Sequence, residues 1–193
     1  MDSIVENLLK QVTTGNNLST IAKSVGGDEK GVQSALGMAL PLLMGSMSKS
    51  ASTSSGAGSL ISMLTQAGAS NPLDNLGSFL GKPEASSGSS MVNTLLGNQT
   101  GAIQNAISQK TGLSSTIIAK ILAIAAPMVM SYVGKMFTEQ KMDQKALSSL
   151  LGEQSKMVMQ SSPEAAAISK QFLATEEKSS GGIMGWLKKL FGS

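Results

Sequence analysis

A chain of 193 residues that is 41% hydrophobic but only 3% aromatic can bury a core, and that core must come from thin aliphatic side chains on closely packed helices rather than from aromatic-rich sheets. The absence of Cys and His removes disulfides, thiol nucleophiles, the ordinary zinc site and the imidazole base. All 15 basic residues are Lys, which removes the bidentate guanidinium fork, and the net charge of +3 resides in the second half, where ten Lys face six acids after residue 90 against five and six before it. The composition predicts an all-α, multihelical bundle.

In chain order, Ser3 and Glu6 form a capping-box pattern ahead of Ile4, Val5, Leu8, Leu9 and Val12, which recur at helical spacing until Gly15. A short helix starting at Asn17 or Ser19 is predicted through Val25, broken by Gly26 and Gly27. Asp28 then caps a long helix whose apolar side carries Val32, Ala35, Leu36, Ala39, Leu42, Leu43 and Met47. Ser50 to Ser59 reads as a loop, Leu60 to Leu64 as a helix, and Asn71-Pro72 as the opening of a short helical piece with Leu73, Leu76, Phe79 and Leu80. A linker is expected over 82–90, where the sequence is rich in Ser and Gly.

The second half repeats this plan. Ile21 to Lys49 aligns without a gap on Ile107 to Lys135 at a spacing of 86 residues, with Ile21/Ile107, Gly26/Gly112, Leu36/Leu122, Ala39/Ala125, Pro41/Pro127, Met44/Met130 and Lys49/Lys135 identical. Ser114 is the expected cap of the second long helix, and Asp143 starts the counterpart of the Leu60 helix. The organisation expected is therefore a first helical unit over 1–81, a linker over 82–90 and a second unit, the repeat of the first, over 91–152. An additional helix over 153–178 starts at Ser162-Pro163-Glu164, with a narrow stripe of Ala165, Ile168, Phe172 and Leu173 that suits the outside of the bundle. A hinge over 179–182 and a basic tail over 183–193 follow.

Each long helix has a proline-kinked centre opposite its apolar side. A proline inside a helix removes one hydrogen bond and collides with the carbonyl four residues back, here Gly37 for Pro41 and Ala123 for Pro127, so a kink or break is expected at each. Two geometries compete for the small side that bears the prolines. In one it is convex toward water; in the other Gly37, Gly45, Ala123 and Ser131 form a close-packing face that admits another helix. Lys30 and Lys120 begin these tracks and prefer solvent, which favours the first.

The tail carries the strongest functional signal. Ile183, Trp186, Leu187, Leu190 and Phe191 share one helical face, with Lys188 and Lys189 on the other, beside the one Trp of the chain. Such a segment can dock on its own bundle, on a protein partner or second copy, or on an anionic membrane surface. Without a dense basic patch interleaved with aromatics, nucleic acid is not an expected partner. The opening MDSIVENLLK, with acids where a signal peptide carries basic residues, points to a cytoplasmic chain, peripheral at a membrane in the second reading. The run Ile121 to Gly134 fits a buried core helix better than a bilayer span.

Catalytic motifs are poor. Ser46-Met47-Ser48-Lys49 and Lys110-Thr111-Gly112 match two penicillin-recognising signatures, but the third is absent and the second falls at a helix end. Gly77 to Lys82 has one residue too few for a phosphate loop. Met128/Met130 and Met157/Met159 could suggest copper(I), yet residues two apart on a helix face different ways and Met commonly fills cores. No catalytic residue, cofactor or metal is expected.

Taken together, ALGMALPLLMG, GAGSL, LLGNQ and KTGLSSTIIAKILAIAAPMVMSYVGK resemble the YidB-like family of bacterial proteins of unknown function, over roughly Met1 to Gly152. The resemblance implies a compact, multihelical, cytoplasmic bacterial protein and brings no catalytic residues with it. The leading expectation is a non-enzymatic interaction or self-assembly protein with a C-terminal docking helix; the alternative is a membrane-active or lipid-binding protein using the tail. An enzyme is a third, weaker reading.

Overall fold

The computed structural model describes residues 3–68, 72, 76–80 and 85–172. Its elements are α1 (Ile4–Thr13), α2 (Asn17–Val25), α3 (Glu29–Ala51), α4 (Ser54–Ala67), α5 (Leu76–Leu80), α6 (Ala85–Leu96), a 3₁₀ turn (Gly97–Gln99), α7 (Thr100–Thr111), α8 (Ser115–Glu139), α9 (Gln144–Ser161) and α10 (Pro163–Phe172). Among the described residues there is no strand, and the architecture is an all-α multihelical bundle.

The helix starts follow from short polar side chains that satisfy the first free N–H groups. Ser3 Oγ accepts from Glu6 N at 3.1 Å while Ser3 N donates to Glu6 Oε2 at 2.9 Å, closing the capping box. Asp28 caps α3 through Gly31 N at 2.7 Å, Ser114 caps α8 through Ile117 N at 3.3 Å, and Asp143 caps α9 through Ala146 N at 2.7 Å. The stops ahead of the two long helices match as well. Gly26 (φ +83°) and Gly112 (φ +74°) take the left-handed conformation, each donating its N–H to the carbonyl four residues back at 2.9 Å.

The two long helices form the centre, and the buried apolar residues of both halves join in one continuous cluster. The connections across it are exchanged: α4 packs on α8, whereas α9 packs on α3. α6 also lies along α8, and α10 lies across α3, α9 and α7 with Ala165 and Ile168 buried. A long-range bond ties the start to the far half, because Ile4 N donates to Gln154 Oε1 of α9 at 2.7 Å.

Several boundaries differ from those the sequence suggests. Ser50 to Ser59 is not a loop; α3 runs to Ala51 and α4 starts at Ser54, with Thr53 Oγ1 accepting from Gly56 N at 3.3 Å. The expected linker over 82–90 is helical from Ala85 onward. Residues 153–161, assigned to an additional helix, continue α9, and the helix that starts at Pro163 is separate. Small and polar residues suggest breaks at these places, whereas tertiary contacts outweigh their weak helix propensity. The hinge over 179–182 and the tail over 183–193 lie outside the described residues, as does the side chain of Phe172.

Among the described residues, α8 alone is long and apolar enough to cross a membrane by length and composition, but 78% of its most apolar stretch is buried inside the bundle.

Candidate functional site

Among the described residues, the proline-bearing side of α8 and two clefts bring chemistry together. Pro41 and Pro127 lie inside unbroken helices, and both are buried. The preference for a water-facing proline side is therefore corrected. Lys30, Ser34, Thr116 and Lys120 at the ends of the two tracks are exposed, but the centres are covered by neighbouring helices.

The covering on α8 is backbone on backbone. Pro127 has no N–H, so the Ala123 carbonyl loses its helical donor. Gly88 of α6 sits directly on that carbonyl: a Cβ added at Gly88 would overlap Ala123 O and stand 2.8 Å from Ala123 C. One contact thus meets a carbonyl the proline has freed, with a Cα–H as the only donor a glycine can offer there. Farther along, Ser131 Oγ donates to Ala67 O at the end of α4 at 3.0 Å. Gly68 and Gly134 meet so closely that a Cβ on Gly68 would lie 2.7 Å from Gly134 C. Of the four residues expected to form a close-packing face, Ala123 and Ser131 are buried in these contacts. Gly37 and Gly45 on α3 are partly exposed, and a Cβ at Gly37 would meet nothing within 4 Å.

The first cleft, of about 360 Å³, lies between α2, α5, α6 and α8 and is lined by Ser24, Val25, Leu80, Ser89, Thr116, Ala119, Lys120, Ala123 and Ile124. Its walls are mainly apolar. Lys120 is the one charged residue among the described residues of the lining, and its Nζ reaches Val25 O at 3.5 Å. The second, of about 320 Å³, runs from α3 and the start of α4 to the end of α6 and is rich in hydroxyls, with Ser46, Lys49, Ser50, Thr53, Ser55 and Thr94 among its walls. Ser46 and Lys49, the pair in the S-x-x-K match, share this cleft, but Ser46 Oγ donates to Leu42 O of its own helix at 2.9 Å. That places the hydroxyl proton in a back-bond rather than toward Lys49. Among the described residues no carboxylate lines either cleft, and no three His, Cys, Asp or Glu side chains gather where a metal could be held.

A model of a family described as bacterial protein of unknown function (DUF937) matches residues 7–136. The chain belongs to this family, the YidB-like proteins. No curated protein and no solved structure matches it.

The DUF937 match runs from within α1 to within α8, so it contains Pro41 and Pro127, the helix-ending Gly26 and Gly112, and the Gly88–Ala123 and Gly68–Gly134 approaches. α9 and α10, which pack on α3, lie beyond the matched residues. The docking residues expected in the tail, Ile183, Trp186, Leu187, Lys188, Lys189, Leu190 and Phe191, lie outside the described residues. The helical spacing of Ala123, Pro127 and Ser131 puts them on one side of α8 from the sequence alone. Gly68 and Gly88 have partners 66 and 35 residues away in the sequence and so leave no local signal.

Proposed function

We propose that this DUF937 protein is a non-enzymatic, cytoplasmic interaction protein that self-associates or docks on a protein partner through Ile183–Phe191. One observation carries the reading. Among the described residues, Met157, at 38%, is the large apolar side chain left exposed, so the bundle covers its own apolar surface, while the tail sequence places five large apolar residues on one helical face. That face needs cover from somewhere. The matching caps, αL glycines and buried prolines at the 86-residue spacing support reading the two halves as duplicated units within one bundle.

Light scattering on the full chain and on a chain ending at Gly182 tests the proposal. The full chain is expected to associate as its concentration rises, or to retain a protein partner in a pulldown that the shortened chain loses. Two strict monomers that retain the same proteins would reject it. Lys188 and Lys189 beside Trp186 support a second reading, peripheral contact with an anionic membrane. Co-sedimentation with phosphatidylglycerol vesicles decides that case: salt-sensitive binding by the full chain alone favours the membrane, and no binding removes it.

A further inference from the structure

We propose that the cleft between α2, α5, α6 and α8 binds a single-chain amphipathic anion, a medium-chain carboxylate, with its alkyl chain against Val25, Leu80, Ala119 and Ile124 and its headgroup at Lys120. Two independent features of the lining lead there. The first is the shape and chemistry of the walls: about 360 Å³ lies toward the small end of ligand pockets, roughly 300–1,000 Å³, which suits one alkyl chain rather than a two-chain lipid. The second is the charge at the rim. Among the described residues of the lining Lys120 is the only ionised group and no acid is present, and the first turn of α8, which supplies Thr116, also carries no acid.

Lys120 is poised rather than consumed. Its contact with Val25 O is 3.5 Å, at the long limit for a hydrogen bond, and an ammonium has three donors, so the amine can hold a carboxylate and keep its place beside α2. The hydroxyls of Ser24, Ser89 and Thr116 add neutral donors around the same opening. A neutral alcohol of equal chain length would fill the apolar part and gain nothing from the ammonium. A cationic amphiphile would meet it as a like charge.

The test is calorimetric titration of the full chain with decanoate below its micelle concentration, alongside decanol, with methyl NMR to locate the ligand. Saturable one-to-one binding of decanoate is expected, with shifts at the Val25 and Ile124 methyls and none at Leu60 in the core, and decanol weaker by about tenfold, the factor that 1.4 kcal/mol represents. Lys120→Gln, at an exposed site, should weaken decanoate by a similar factor while leaving decanol unchanged. Ala119→Leu should fill the cleft and abolish binding, with Ser89→Leu as the second filling variant if the first fails to fold. Lys188→Gln combined with Lys189→Gln should leave the affinity intact. The proposal is overturned if decanoate gives no saturable signal, if decanol binds as tightly, if Lys120→Gln has no effect, or if loss follows the tail lysines instead.

Discussion

At the residue scale, glycine contacts decide how closely α8 can be approached. Gly88 and Gly134 face backbone atoms, not the ends of flexible side chains, so an added methyl has no soft neighbour to displace. Gly88→Ala and Gly134→Ala are each expected to cost about 3 kcal/mol, the upper part of the range for overpacking, in urea unfolding. Gly37→Ala is the control. Its Cβ meets open space in a helix interior, so the exchange should stabilise by about 0.5–1 kcal/mol. Ser131→Ala strands the buried Ala67 carbonyl and should cost about 1–3 kcal/mol. The helix caps were legible in the sequence because their chemistry spans three residues, as at Ser3, Asp28, Ser114 and Asp143. The role of Gly88 was not, because a Ser- and Gly-rich stretch looks like a linker until the helix it meets is known.

At the element scale, Pro127 and Gly88 form one unit built from two helices. The proline frees the Ala123 carbonyl and the glycine covers it, so their substitutions should not add. Gly88→Ala is expected to cost less in a Pro127→Ala background, where the carbonyl regains a donor within α8. A double-mutant cycle by denaturant titration checks this, with a coupling of about 0.5–3 kcal/mol expected and strict additivity excluding the pairing. α1 offers a simpler case. Its first N–H is held by Gln154 from α9, so Gln154→Ala should destabilise by about 1 kcal/mol and accelerate hydrogen exchange at Ile4 before α3 is affected. The long helices were readable from their 3.6-residue periodicity, whereas the burial of their prolines was not. Which elements cover the proline-bearing side of α8 was not readable, since α4 and α6 reach α8 through long-range contacts alone. For the same reason the cleft at Lys120, whose lining spans residues 24 to 124, had no local signature.

At the scale of the whole molecule, the exchanged packing of α4 on α8 and of α9 on α3 makes each half depend on the other for its walls. Two fragments divided after residue 82 should each be poorly folded alone, and should recover the helical circular dichroism of the intact chain when mixed. Independent cooperative melting of either fragment would show separable domains instead. The same arrangement bears on synthesis. Chains emerge N-terminus first, at about 5–20 residues per second, so α3 leaves the ribosome several seconds before α9 can reach it. Early in that interval α3 has only its early neighbours α1, α2 and α4 and lacks α8 and α9, so nascent chains of this bundle are expected to engage chaperones that hold greasy segments.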